Sequence, residues 1–234
     1  MIVSSDNIDS SLFERAKASK SIAEAHEAWI KSRGGRMTAS TVWQLFTSKL
    51  VQASNETVEK YIMEKVAESF GAYNPSFSSA ATTWGHKNEL EAVEEYQKRT
   101  GQQVYAKGDQ QTFIPHLEFG GCTPDGLIGE DGGLQVKCPY NPANHIKYLL
   151  FEDQNDLKLK EHKYYVQVQT ELMVTGRKWW EFISYDPRIE EPKLKLKILR
   201  VYPDPYFLPV LETALEEANN KMSTIISQLK NIKT

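Results

Sequence analysis

Cysteine is scarce in this 234-residue chain, which carries only Cys122 and Cys138. Two thiols exclude the disulfide framework that staples small secreted domains, and they are too few for a four-cysteine zinc or iron–sulfur centre. Long apolar runs are missing as well: no stretch reaches the length of a membrane span. The N-terminal MIVSSDNIDSSLFERAKASK also lacks the basic-then-apolar pattern of a signal peptide. The expectation is a protein of the cytoplasm with no membrane partner. An excess of charge of one sign is absent too, since 28 Lys and Arg against 31 Asp and Glu give a formal net charge of −3. A nucleic-acid partner would have to be held by a local basic track, because the field of the whole molecule is weakly repulsive. Neither an internal repeat nor a low-complexity linker interrupts the chain.

What is present, 40% hydrophobic and 25% charged residues, suffices for one sizeable core. The expected organisation is a single domain over 1–234, with a helical part over about 1–100, a sheet core over about 80–202 and a C-terminal helix over about 205–231. Helical periodicity runs through SLFERAKASKSIAEAHEAWIKSR, TASTVWQLFTSKL and NETVEKYIMEKVAESFG, with Asn55 as the expected N-cap of the last and Gly71 at its end. TTWGHKNELEAVEEYQKRTG predicts one long helix that ends at Gly101 and carries Glu89. The period then shifts towards two in QQVYAKG, QTFIPHLEFGGCTPDGLIG and GGLQVKCP, which predicts an antiparallel meander. NPANHIKYLL and EHKYYVQVQTELMVTG predict helices, and RKWWEFISYDP and KLKLKILRVY predict strands. Helix, strands, helix, strands is a mixed α/β arrangement.

TPDGLIGEDGGLQVKCP, residues 123–139, concentrates the chemistry. Residues two apart on a strand face the same way, so Gln135 and Lys137 share a face. EDGG supplies turn residues that return Asp125 to the neighbourhood of Gln135. Oxygen ligands suit Mg²⁺ or Mn²⁺, and a nearby ammonium can orient an attacking water beside a phosphodiester. The same spacing also fits a surface hairpin with a turn Asp and a solvated Lys.

The flanks of this stretch, Thr-Pro-Asp-Gly-Leu and Gln-Val-Lys-Cys-Pro, resemble the core of the PD-(D/E)XK nucleases of the lambda-exonuclease, or YqaJ-like, family. Four further blocks, in the family's order, extend the resemblance over residues 29–188. They are Trp29–Arg33 with Thr38-Ala-Ser40, Trp84-Gly85 with Glu89, Tyr164-Tyr-Val-Gln-Val-Gln169, and Tyr185-Asp-Pro-Arg188. The resemblance implies a restriction-endonuclease-like core, a mixed central sheet flanked by helices, with a helical N-terminal region. It also implies a Mg²⁺- or Mn²⁺-dependent exonuclease that digests one strand of linear duplex DNA from the 5′ end and leaves 3′ tails for recombination. Glu89, Asp125, Gln135 and the Val136 carbonyl take the metal positions, Lys137 that of the catalytic lysine and Gln167 that of a supporting residue. Arg33, Ser40 and Thr123 match the positions that hold a terminal 5′-phosphate. Partners implied are linear duplex ends, a single-strand annealing protein and further copies of the chain in a ring-shaped trimer.

Gln135 departs from that pattern, which has an acid there. An amide oxygen can coordinate a hard cation but brings no charge, so metal affinity is expected to fall. A catalytically inert DNA-end-binding module and a structure-specific endonuclease on the same core are therefore alternative readings. Elsewhere the expectations are plain. The five Trp residues serve the core, His86, His116, His145 and His162 have no metal spacing, Cys138 is packing, and Gln169 is either a polar helix position or part of the site. Lys158, Lys160 and Lys163 form a solvated loop face or a piece of a DNA track.

Overall fold

The computed structural model describes residues 34–72 and 80–232, and the account of structure concerns these. Arg33 and the first expected helix lie outside them. From Gly35 onward the elements run in an order close to that expected.

Strand β1 (Met37–Thr38) is followed by a single 3-10 turn over Val42–Leu45, where the periodicity predicted a helix through residue 50. The physical reason lies in the threonines. Thr41 Oγ1 donates to the Thr38 carbonyl at 3.0 Å and bonds Tyr61 at 2.8 Å, and β1 itself is taken up by strand pairing. Helix α1 (Asn55–Ser69) is capped by Ser54, one residue before the expected Asn55, through Oγ accepting from the Thr57 N–H. Helix α2 (Ala80–Thr100) ends where Gly101 turns left-handed, as the sequence predicted.

The strands that follow are β2 (Val104–Tyr105), β3 (Ile114–His116), β4 (Gly120–Cys122), β5 (Gly126–Ile128) and β6 (Gly132–Lys137). They do not form one meander. β4 leaves to pair with β1 in parallel and β3 antiparallel, making a small three-stranded sheet. The main sheet has the order β2-β5-β6-β7-β8, with β7 (Trp179–Tyr185) and β8 (Leu196–Val201). β6 is its centre, antiparallel to β5 and parallel to β7. Between β6 and β7 run α3 (Pro142–Leu149), α4 (Gln154–Lys160) and α5 (His162–Thr175), and α6 (Leu208–Lys230) ends the chain. Helix α4 falls where a loop face was expected. Asp153 caps it by accepting from the N–H groups of Asn155 and Asp156. Its lysines are engaged: Lys158 pairs with Asp204 at 2.7 Å and Lys160 with Asp156 at 2.5 Å, while Lys163, on α5, lies 4.0 Å from the Trp43 ring centroid.

The core lies on both faces of the main sheet. On one, Leu134, Val136, Ile183 and Tyr185 pack with Ala92, Val93 and Tyr96 of α2. On the other, Trp180, Phe182, Leu199 and Val201 pack with Tyr165, Val168 and Leu172 of α5 and with the apolar side of α6. β6 begins with two glycines for a steric reason. Gly133 pairs with Trp180 across the parallel ladder, and a Cβ there would sit 2.2 Å from the indole ring. Trp180 is fully buried and has no room to retreat. Gly133→Ala is therefore expected to destabilise the fold by about 1–3 kcal/mol, readable as a lower urea midpoint at unchanged slope.

Candidate active site

The β5–β6 hairpin fixes the first part of the site. Gly126 pairs with Leu134, so the register continued by one residue sets Asp125 opposite Gln135. Arg177 holds the turn from outside, its Nη1 donating to the carbonyls of Gly129 at 2.8 Å and Gly132 at 2.6 Å. Beyond the end of β5 the strand edge of β6 has no backbone partner on that side among the described residues. Asp125 takes its place: Oδ2 accepts from the Val136 N–H at 2.7 Å and from Gln135 Nε2. The N–H and C=O of one strand residue point to the same edge, so the Val136 carbonyl projects towards Asp125 as well. Gln135 Nε2 lies 3.4 Å from that carbonyl oxygen.

Gln135 and Lys137 share a face, as the strand period predicted, and that face meets α5, which supplies contacts to both. Lys137 Nζ donates to Gln167 Oε1 at 3.2 Å and lies 4.5 Å from the Tyr164 ring centroid. Gln167 Nε2 donates in turn to Gln135 Oε1 and to Glu171 Oε1, the latter at 3.2 Å. The lysine is thus held by a neutral amide and a π face, and neither neutralises it. Tyr164, Gln167 and Glu171 are spaced three and four apart, on one face of the helix.

Glu89 arrives from α2, on the opposite side of the sheet. Gln111 ties it to the hairpin, with Nε2 donating to Glu89 Oε1 at 2.6 Å and standing 3.5 Å from the Asp125 carbonyl. Burial pushes the Glu89 carboxyl up from its ordinary value, opposed by the Gln111 hydrogen bond and the Lys137 charge. Burial likewise pushes the Cys138 thiol up to about 12, with Glu89, Asp125 and Asp186 adding to it, so Cys138 stays a neutral packing group. The residues expected at the centre, Glu89, Asp125, Gln135, Val136, Lys137 and Gln167, are brought to one end of β6.

The remaining expected residues separate into groups. Ser40 and Thr123 each lie two residues past the last β1–β4 pair, Thr38 with Gly121, at the same end of these parallel strands. Thr123 Oγ1 is buried and has no hydrogen-bond partner among the described residues. Gln169 is structural: it takes the Asp204 N–H at 2.8 Å and donates to the Tyr202 carbonyl at 2.9 Å. His145 is buried, bonded to Ser184 and to the Leu194 carbonyl. Gln111 and Glu171 were not singled out from the sequence, and Tyr164 entered only as the first residue of a family-like block, without a role. Helical spacing from Gln167 points to the last two, whereas nothing local points to Gln111.

Among the described residues the groups expected to hold a cation, Glu89, Asp125, the Gln135 amide and the Val136 carbonyl, all offer oxygen, which fits a hard divalent cation. The charge of these groups is modest. Among the described residues no three His, Cys, Asp or Glu side chains gather as a metal-binding group, so two carboxylates are joined here by a carbonyl and an amide.

A family model described as a YqaJ-like viral recombinase domain matches residues 28–178, more than half of the chain. The chain belongs to this family. No curated protein sequence matches it significantly. Among solved structures it is similar to an alkaline exonuclease (LHK-Exo) from Laribacter hongkongensis, with a TM-score of 0.70, 26% identity, and 87% of this chain and 96% of that one covered. The same relative in complex with dAMP gives a TM-score of 0.69 at 28% identity over the same shares. A phage-related exonuclease from Haemophilus somnus 129PT matches with a TM-score of 0.65 over 83% of this chain and 96% of that one, at 13% identity, a likeness of fold. The architecture is the PD-(D/E)XK one expected from the five sequence blocks.

Proposed function

We propose that the protein is a Mg²⁺- or Mn²⁺-dependent exonuclease that digests one strand of linear double-stranded DNA from the 5′ end and leaves 3′ single-stranded tails. The observation that carries this reading is the convergence of Glu89, Asp125, the Val136 carbonyl and Lys137 at one end of β6. Glu89, Asp125 and the Val136 carbonyl, with Gln135 beside them, are the groups that would hold the cation. When bound, it would neutralise the scissile phosphate and make a water more acidic. Lys137 orients that water and offsets charge as it develops on the phosphate oxygens. Gln167 and Tyr164 keep its ammonium within reach of the carboxylates. The water oxygen bonds to phosphorus as the bond from phosphorus to the 3′ oxygen breaks; the proton the water gives up passes to solvent, the leaving 3′ oxygen takes one from solvent, and a 5′-mononucleotide departs, a product class to which the dAMP held by the Laribacter relative belongs.

The buried Thr123 hydroxyl, without a hydrogen-bond partner among the described residues, supports a phosphate-binding role at the strand end that also carries Ser40; Arg33, outside the described residues, is the cation proposed for the same role. Thr123 is two residues from Asp125, which couples a gripped 5′ end to the cutting site. The same reading takes linear DNA ends as substrate, a ring-shaped trimer as the working form, a single-strand annealing protein as recipient of the product, and the host cytoplasm as the place of action.

One observation favours the alternative of an inert end-binding module: the Gln135 amide oxygen, its only atom able to coordinate a cation, accepts from Gln167 Nε2, and its nitrogen faces Asp125. Incubation of linear duplex and closed circles with Mg²⁺ or Mn²⁺ separates the readings. Mononucleotides from the linear form alone are expected. Nicked circles mean an endonuclease, and retention of linear DNA without cleavage means a binding module.

Gln135→Glu tests the charge argument. A carboxylate there cannot donate to Asp125 and repels it, so in EDTA the variant should melt below the parent. With Mn²⁺ it should bind metal about tenfold more tightly, with activity kept or raised, and should recover its stability by mass action. Calorimetric titration and melting curves, each with and without metal, check both signs. Unchanged Mn²⁺ affinity would remove Gln135 from the metal's surroundings.

A further inference from the structure

The chain Lys137–Gln167–Gln135–Asp125 has a direction that chemistry fixes at both ends. An ammonium only donates, so Gln167 must turn its amide oxygen to Lys137 and its NH₂ the other way. Asp125 accepts, so Gln135 must turn its NH₂ to Asp125 and its oxygen to Gln167. The two requirements agree, and the observed contacts follow them: Lys137 to Gln167 Oε1, Gln167 Nε2 to Gln135 Oε1, and Gln135 Nε2 to Asp125 Oδ2. Gln135 thus serves Asp125 as a hydrogen-bond donor, which a motif acid at that position could not do.

This leaves the second N–H of Gln167, and Glu171 receives it. Glu171 is fully buried, one helical turn beyond Gln167, and its Oε1 accepts from Gln167 Nε2 at 3.2 Å. Its importance follows from what Lys137 has to do. The proposed cleavage draws the ammonium towards water and phosphate, which loosens its grip on the Gln167 oxygen. Glu171 and Gln135 Oε1 are then the acceptors that keep the NH₂ side of Gln167 turned inward, and Glu171 is the one of the two that stands outside the chain to Asp125.

We infer that Glu171 is a positioning residue for phosphodiester cleavage, holding Gln167 so that Gln135 keeps its amide nitrogen on Asp125 while Lys137 is engaged with substrate. The inference rests on the nuclease reading above. Glu171 is proposed to act through two amides, Gln167 and then Gln135, on Asp125.

The test is a double-mutant cycle on the full-length protein, with linear duplex and saturating Mg²⁺. Glu171→Leu removes the acceptor at similar volume and should lower kcat by about 10–100-fold, the range typical of residues that orient a metal ligand, with the KM for DNA little changed. Glu171→Gln retains an acceptor oxygen and should recover activity to within a few-fold of the parent. In a Gln135→Glu background the Glu171→Leu loss should shrink, because a carboxylate at 135 grips the Gln167 N–H through a charge-assisted bond of its own. Equal losses in both backgrounds, or a Glu171→Gln variant as poor as Glu171→Leu, would mean that Glu171 serves only the fold and would overturn the inference. An active parent unaffected by Glu171→Leu overturns it as well, with the nuclease reading intact. A parent that cleaves no DNA overturns both. Melting curves confirm that each variant is folded, and Glu171→Met replaces Glu171→Leu in the cycle if the latter does not fold.

Discussion

Asp125→Ala should abolish digestion of linear duplex, lowering the rate by on the order of 10³-fold or more, the scale on which loss of a single preorganised charged or polar group acts at a transition state. The expectation is large because three functions end on this one carboxylate. Among the described residues it is one of the two acids, with Glu89, expected to hold a divalent cation, so its loss halves the charge they offer. It terminates the edge of β6 by accepting from the Val136 N–H at 2.7 Å, which fixes the carbonyl beside it. It also receives the Gln135 amide and so anchors the far end of the hydrogen-bond chain from Lys137. Single-turnover cleavage and Mn²⁺ titration on the same preparation are the measurements. Asp125→Asn should resemble Asp125→Ala in rate yet melt closer to the parent, since an amide can still accept from Val136. A rate within tenfold of the parent for both would remove Asp125 from the reaction.

Lys137→Met should lower cleavage by about 10²–10⁴-fold while end binding survives, the loss expected for a group that positions or transfers protons at the reacting centre. Methionine preserves the bulk against Tyr164, so the change isolates the ammonium. Its environment is the reason for the size of the effect: a neutral amide 3.2 Å away and a ring face hold it without quenching its charge. Lys137→Arg is not expected to rescue, because a planar guanidinium cannot occupy the same small volume between Tyr164 and Gln167. Gel-shift affinity on 5′-phosphorylated duplex, compared with the cleavage rate, checks the separation. Parallel losses in binding and rate would make Lys137 a backbone contact.

Much of the β5–β6 hairpin could be read directly from the sequence, because its determinants are local. Alternation puts Gln135 and Lys137 on one face whatever surrounds them, and Gly129 to Gly133 supply the reversal that returns Asp125 to Gln135. The long helix carrying Glu89 and the helix carrying Gln167 announce themselves by period and by the glycines that end them. Local rules were insufficient where a segment's partners are distant. Residues 38–50 have helical periodicity, yet β4 captures Met37 and Thr38, and threonine hydroxyls take up the backbone that a helix would need.

Which helix covers which face of β6 was likewise a tertiary decision. A strand presents two sides equally, and only packing of Trp180 and Phe182 against α5, and of Leu134 and Val136 against α2, settles that Gln167 meets Lys137 and that Glu89 must reach the site from the far side. Gln111, at 2.6 Å from Glu89, comes from a loop with no periodic signal at all. The direction of the Gln135 amide belongs to the tertiary structure too. The sequence determines that this position carries no charge. Whether its nitrogen or its oxygen faces Asp125 depends on an ammonium two residues away and on two side chains of a helix more than thirty residues distant, because a side-chain amide takes its orientation from the donors and acceptors that enclose it.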